Sequence, residues 1–229
     1  MAQFTKRKLY VVIVLLVAGV FWLIYATVHQ AHLDDSLIQS ILSNKTTLAL
    51  SALHRGADPN TRDYGNGSFW QRIRDRARLL LFFGRTPHNQ DTSVSALVLA
   101  TQRDNSPVVL DLLAQGAIGV NDEADFRPPD RVGAPLARLP LLLGAAGRGD
   151  LEIVHALLDH GADANKCDNT NTTPLDHAIS RRDSENELDP SQASNEETDR
   201  IIALLRKHGA LRGRLLPLHH PSKDAVDRQ

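Results

Sequence analysis

Cysteine is almost absent from the sequence, since Cys167 is the single one among 229 residues. An intramolecular disulfide is therefore excluded, and cysteine pairing cannot indicate an oxidising or a reducing compartment. The sequence also lacks the nucleophile motif GxSxG, the zinc-protease motif HExxH and the phosphate-binding P-loop. No recognisable spacing places a nucleophile beside a base. We therefore predict that the protein is not an enzyme, with no catalytic residue and no cofactor.

Histidine is more frequent, with ten residues, but the positions do not form a metal-ligand pattern. His160 and His208 each precede a glycine that follows a predicted helix, where a partial positive charge suits the helix C-terminus. His219 and His220 are adjacent near the end of the chain, and two histidines alone are a weak metal signal. Cys167, taken with His160 and Asp163, lacks the ligand spacing of a closed zinc site. We therefore predict no metal site.

Charge of either sign is missing from Leu9 to Val28, which reads LYVVIVLLVAGVFWLIYATV. An apolar run of this length spans a bilayer as a helix. A cleaved signal peptide is the competing interpretation, but its apolar core is about 7–15 residues long and ends in a small-x-small site. Because Ala26-Thr27-Val28 fits that site poorly, we favour an uncleaved transmembrane anchor at residues 9–28.

Basic residues crowd only one side of this anchor. Lys6, Arg7 and Lys8 stand in a short leader, residues 1–8, whereas the first lysine or arginine after the anchor is Lys45. The positive-inside rule then places the amino terminus in the cytosol and the body outside it. In a bacterium this predicts a single-pass inner-membrane protein with its body in the periplasm. All 27 acidic residues lie in that body, which argues against nucleic acid as the partner.

A repeated pattern follows the anchor and is clearest from Pro140 to Ala178. Two short apolar segments are each followed by a glycine, and the second segment places its leucines and valine on one helical face. Small residues in the first segment, beginning with Gly144, leave space for a close neighbour, and Gly161 is suited to a left-handed helix end. Two motifs make this stretch similar to the ankyrin repeat, a β-turn plus two helices with the signature TPLHxA; they are Gly161-Ala162-Asp163-x-Asn165 and Thr173-Pro174-Leu175-x-x-Ala178.

The resemblance implies an all-α solenoid of about four stacked helix pairs with long insertions, and no sheet beyond short finger turns. We predict a repeat domain at residues 34–211, followed by a tail at 212–229 whose first residues cover the last repeat. Asp34 and Asp35 before Ser36 predict a capped first helix, and Asn44 stands where the family usually has an inter-helix glycine. The predicted repeats span about 35–63, 95–121, 140–168 and 173–211.

The glycines that end the four units lie farther apart than the 33-residue ankyrin period, which locates three insertions. We place them at Ser68 to Ser93, at Asp122 to Leu139 and at Ser184 to Thr198. The third is rich in acidic residues and hydroxyls, so we expect it to be mobile and to pack little of its surface. Insertions in repeat arrays map to loops, often on the binding face.

The first insertion contains a basic amphipathic helix at residues 69–83, whose apolar stripe is flanked by arginines. Three interpretations stay open. The helix packs on the repeats with its arginines reaching water, it binds a protein partner, or it lies in a membrane interface. The candidate partner-binding residues are Trp70, Arg74, Arg78, Leu79 and Phe82.

For function, the resemblance implies a protein–protein interaction module with a partner of unknown identity. With the anchor, this predicts a surface on the extracytoplasmic side that supports an enzyme or neutralises a toxin. The alternative is a membrane-surface organiser that uses the arginine-rich helix 69–83. An enzyme is the least favoured class.

Overall fold

The computed structural model describes residues 2–63, 94–126, 137–188 and 196–213. Within these residues the chain is mostly helical, as predicted, with eight helices and four short strands. The helices are α1 (Ala2–Leu42), α2 (Thr46–His54), α3 (Ala96–Gln102), α4 (Ser106–Ala114), α5 (Leu141–Arg148), α6 (Leu151–Asp159), α7 (Pro174–Leu188) and α8 (Glu196–Lys207). The strands are β1 (Arg62–Asp63), β2 (Val94–Ser95), β3 (Glu123–Phe126) and β4 (Ala137–Pro140).

The chain divides into two compact units, residues 1–96 and residues 97–229. In the first unit the C-terminal part of α1 packs against α2. Strands β1 and β2 pair antiparallel, with Arg62 opposite Ser95 and Asp63 opposite Val94. This pairing brings the two ends of segment 64–93 together at one place in the first unit.

Helix α1 carries both the apolar run and the first helix of the predicted first repeat. The backbone continues without a break through Asp34 and Ser36, so the helix cap predicted there is wrong. Extending an existing helix adds a hydrogen bond per residue, whereas a second start would repeat the costly nucleation step. The segment Tyr10–Leu42 is long and apolar enough to cross a bilayer, and its most apolar window is not buried. A membrane span and an N-terminal signal sequence share these properties.

Asp34 has a tertiary role instead of a capping one. Its side chain is 5% exposed, and its Oδ1 accepts the backbone N–H of Asp58 at 2.9 Å and the side-chain amide of Gln30 at 3.0 Å. Asp58 is the second residue after Gly56, in the turn that follows α2. The carboxylate therefore ties that turn to α1.

The second unit repeats this interaction with asparagine as the acceptor. Asp163, two residues after the glycine that ends α6, donates its N–H to Asn121 Oδ1 at 2.8 Å. Leu211, in the same position after α8, donates to Asn165 Oδ1 at 2.7 Å. In each case the acceptor belongs to the preceding turn, whereas in the first unit α1 supplies it.

The four helices α2, α4, α6 and α8 end in the same way. A glycine with φ between +78° and +94° follows each of them, and the N–H of the next alanine bonds back to a carbonyl in the last turn. This pattern satisfies carbonyl groups that the helix end would otherwise expose. The left-handed conformation predicted for Gly161 is confirmed.

The turns between helices are also left-handed. Asn44 between α1 and α2 has φ +52°, Asp104 between α3 and α4 has +56°, and Gly149 between α5 and α6 has +87°. Asparagine and aspartate tolerate this region better than other residues with a side chain. Asn44 therefore adopts the conformation expected of the glycine that it replaces.

In the second unit, helices of successive pairs pack in two rows. Helix α6 contacts α4 on one side and α8 on the other, and α5 contacts α7. The core between them is made of aliphatic side chains that are at most 2% exposed, among them Leu112, Leu141, Ile153, Leu157 and Ile201. This packing fixes the relative positions of the turns at the ends of the helices.

The third predicted insertion is shorter than the sequence suggested. Helix α7 extends to Leu188 and α8 begins at Glu196, so both ends of the range 184–198 are helical. Thr198 is 2% exposed, and the prediction that this range packs little is wrong at that end. Acidic residues in the first turn of α8 favour the helix N-terminus, which the prediction from composition ignored. Residues 189–195 lie outside the described part of the chain.

Replacing Asp34 with alanine is expected to lower the free energy of unfolding by about 1–3 kcal/mol, because the N–H of Asp58 loses its acceptor in a largely buried place. Chemical denaturation of the full-length protein in detergent micelles measures this change. Asp34→Asn is the matched control, since an amide oxygen can accept the same N–H, as Asn121 and Asn165 do. Equal losses in the two variants would contradict the role assigned to this acceptor.

Candidate interaction surface

The residues predicted from the sequence to bind a partner all fall in segment 64–93. Trp70, Arg74, Arg78, Leu79 and Phe82 therefore lie outside the described residues, and their role stays a prediction. The interactions below belong to the second unit and involve residues that sequence reasoning did not select.

A β-hairpin projects from the second unit at the predicted second insertion. Strands β3 and β4 pair antiparallel from Glu123 opposite Pro140 to Phe126 opposite Ala137. In β3 the exposed residues Glu123 and Asp125 alternate with the buried Ala124 and Phe126. The hairpin therefore has one face on the helices, and its tip, residues 127–136, lies outside the described residues.

Phe126 packs directly on helix α5 at Gly144. A β-carbon on Gly144 would lie 2.4 Å from Cε2 of the Phe126 ring, which is far inside van der Waals contact. The ring is 4% exposed, so it fills the space that glycine leaves open. The close approach predicted for the small residues of this helix is confirmed at Gly144.

Arg148, one turn farther along α5, joins three parts of the surface. Its guanidinium carbon lies 5.0 Å from the centroid of the Phe126 ring, a cation–π distance. Nη2 donates to the carbonyl of Thr101 at 2.6 Å, and Nε donates to Asp150 Oδ2 at 2.8 Å. The side chain is 20% exposed, so these contacts are stronger than those of a solvated ion pair.

Asp150 carries the clearest electrostatic perturbation of this surface. Burial raises the pKa of Asp150 to about 6, against the ion pair with Arg148, and the nearby carboxyl of Asp104 adds to the increase. Asp104 and Asp150 come from the α3–α4 and α5–α6 turns. The folded protein therefore favours a proton on Asp150 at mildly acid pH.

The base of the hairpin is fixed from both sides. On one side, the Gln102 side-chain amide donates to the carbonyl of Asp125 at 2.9 Å. On the other side, Lys166 Nζ lies 2.5 Å from the Asn121 carbonyl and 3.6 Å from Glu123 Oε1. These polar contacts flank the buried Phe126 ring, so the hairpin is held in one orientation on the helices.

The last described residues are tied to the fourth predicted repeat through Asp176. Its Oδ1 accepts Arg212 Nε at 2.8 Å, and its Oδ2 accepts the Gly213 N–H at 2.7 Å and the Thr173 hydroxyl at 2.9 Å. Partial burial raises the pKa of Asp176, but these donors outweigh it and hold the pKa below the ordinary value. Asn171 completes the contact by donating to the Gly213 carbonyl at 2.7 Å. The start of the predicted tail therefore covers this repeat.

Apolar side chains remain at the solvent-facing edge of the second unit. Ile118 is 69% exposed and Leu211 is 45% exposed, and each is the second residue after the glycine that ends a helix. Leu110, on α4, is 43% exposed. In the described part of the chain, no group of three or more His, Cys, Asp or Glu side chains could hold a metal ion.

Comparison with known families gives one match. A family model described as ankyrin repeats (many copies) covers residues 142–185. This range contains most of α5, all of α6 and the larger part of α7, so the resemblance stated for Pro140 to Ala178 is confirmed. No curated protein matches the chain.

Sequence reasoning did not select Phe126, Arg148 or Asp150. Phe126 contacts α5 because of the register of the hairpin, which no sequence motif predicts. Arg148 lies at the end of α5 and belongs to no recognised motif. The one sequence signal for this cluster was an aspartate in each of two inter-helix turns, Asp104 and Asp150. Their carboxyls come together only in the folded chain.

The raised pKa of Asp150 predicts a pH-dependent stability. The unfolded carboxyl titrates near 4, so stabilisation by the bound proton is complete below about pH 4 and is lost as the pH rises through about 6. Relative to Asp150→Asn, the wild-type protein should therefore gain unfolding free energy as the pH falls from about 8 to about 5. Denaturation of both proteins across this range measures the difference.

The control is Asp125→Asn, which removes one carboxylate from the exposed side of β3. A difference between wild type and Asp150→Asn that stays constant with pH would show that this carboxyl does not titrate in the range.

Proposed function

From the ankyrin-repeat match at residues 142–185, we propose that this protein is a membrane-anchored ankyrin-repeat module that binds another protein outside the cytosol. The array comprises about four helix pairs. The observation that carries the proposal is the fixed packing of the second unit, in which the helices stack and the buried Phe126 ring holds a hairpin on α5. A rigid, preformed surface binds at low entropic cost.

The anchor is residues 9–28 of α1, and the one-sided basic flank orients it with the amino terminus in the cytosol. In a bacterium the repeats would then lie in the periplasm. Two roles fit such a module, namely support of a periplasmic enzyme and neutralisation of a toxin. Both require a protein ligand on the same side of the membrane, and neither requires catalysis by the repeats.

A reporter enzyme that is active only in an oxidising compartment, fused after Gln229, is expected to be active in cells. The reason is the position of Lys6, Arg7 and Lys8 before the anchor. The control fusion carries a reporter active only in the cytosol at the same site. Activity of that second reporter would reverse the orientation.

The partner-binding residues proposed for segment 64–93 are Trp70, Arg74, Arg78, Leu79 and Phe82. Leu79 and Phe82 lie off the main apolar stripe of the predicted helix, so packing on the repeats leaves them uncovered. We expect Leu79→Gln with Phe82→Gln to leave the melting temperature of the full-length protein unchanged and to abolish cross-linking to its partner in cells. Leu48→Gln, at a residue 51% exposed on α2, is the matched control.

Loss of roughly 2 kcal/mol or more of stability in the double variant, the size of a core truncation, would show that these side chains pack on the repeats. Unchanged stability with unchanged cross-linking would remove them from the binding site.

A membrane-surface organiser is the second candidate function. The observation that favours it is the β1–β2 pairing, which makes segment 64–93 leave and rejoin the fold in the unit that carries the anchor. Trp22 and Trp70 are the two tryptophans of the chain, so Trp22→Phe leaves Trp70 as a single fluorophore. Quenching of Trp70 by nitroxide lipids in reconstituted vesicles would support this function, and quenching only by a water-soluble agent would exclude it.

A further inference from the structure

The turn after α2 is bonded to α1 close to the end of the apolar run. The Gln30 side-chain amide donates to the carbonyl of Gly56 at 2.7 Å, and Gln30 follows Val28, the last residue of the run, by two positions. With a rise of about 1.5 Å per residue, this is about 3 Å along the helix axis. The polar layer on each side of a bilayer is about 5–8 Å thick. If the run spans the hydrocarbon, Gly56 lies at the level of the headgroups.

A second tie prevents the turn from moving away from α1. Asp34 Oδ1 accepts the Asp58 N–H at 2.9 Å, one helical turn beyond the Gln30 contact. Between these contacts and the far end of α2, Ala52 and Leu53 are buried where α2 packs on α1. Because α1 is unbroken from Ala2 to Leu42, the described chain has no flexible linker between the apolar run and this turn.

We propose that the edge of the first unit formed by His54, Arg55 and Gly56 is a lipid-contact site, with the Arg55 guanidinium binding the phosphate of a phospholipid headgroup. This rests on the proposed membrane anchor. His54 and Arg55 are both exposed, and a planar guanidinium matches the oxygens of a phosphate.

The helix surface at the same level has interfacial character. Tyr25 and His29 stack with ring centroids 5.9 Å apart and an interplanar angle of 5°, and Tyr25 is 68% exposed. Aromatic side chains with a polar tip are enriched at the membrane–water boundary. Lys45, at the opposite end of α2, precedes His54 by nine residues, about 14 Å along the axis of α2. The first unit therefore stands with one end in the headgroups and the other in water.

The test uses the full-length protein with Cys167→Ser, which leaves no other cysteine. A fluorescent label is placed at His54→Cys or, as the control, at Lys45→Cys, and the protein is reconstituted into phosphatidylcholine vesicles with and without phosphatidylglycerol. Lipids with a nitroxide on the headgroup should quench the label at position 54 severalfold more than the label at 45. Phosphatidylglycerol should increase quenching at 54, and Arg55→Gln should remove that increase.

Equal quenching at the two positions, in protein that resists extraction by alkaline carbonate, overturns the lipid-contact site and leaves the anchor intact. Strong quenching at 54 that Arg55→Gln does not change overturns the phosphate contact. Extraction by alkaline carbonate overturns the anchor itself and the lipid contact with it.

Discussion

After three of the helix-ending glycines, Gly56, Gly161 and Gly209, the second residue donates its N–H to a side-chain oxygen of an earlier element, and these turns depend on that hydrogen bond. Where a turn precedes, the oxygen belongs to asparagine, as at Asn121 and Asn165. In the first unit, Asp34 of α1 supplies the oxygen. Helix α1 therefore takes the part that the preceding turn takes in the second unit.

Helix α1, which supplies the Asp34 acceptor, also carries the apolar run. A flexible linker after an apolar helix would let the following domain rotate. In this chain, the hydrogen bonds of Gln30 and Asp34 instead tie the turn after α2 to α1. The turn after α2 therefore keeps a fixed position relative to the apolar run.

In the second unit, rigidity comes from one aromatic ring and one cation. Phe126 occupies the space that Gly144 leaves open, and Arg148 covers the ring while bonding Thr101 and Asp150. Burial of the Asp150 carboxyl raises its pKa despite this cation, and the nearby carboxyl of Asp104 adds to the increase. The hairpin is therefore fixed on the helices by contacts that are largely shielded from water.

The sequence by itself determined the helices, their glycine ends and the ankyrin resemblance, because apolar spacing and left-handed glycines are local properties of the chain. It also located the apolar run, which depends on composition alone. Tertiary structure decided that α1 continues through Asp34. The sequence predicted a helix cap there, but the Asp34 side chain bonds to the N–H of Asp58 instead. It likewise brought Phe126 to Gly144, through the register of the hairpin, and Asp104 to Asp150, because these residues are far apart in the sequence and meet only in the folded chain.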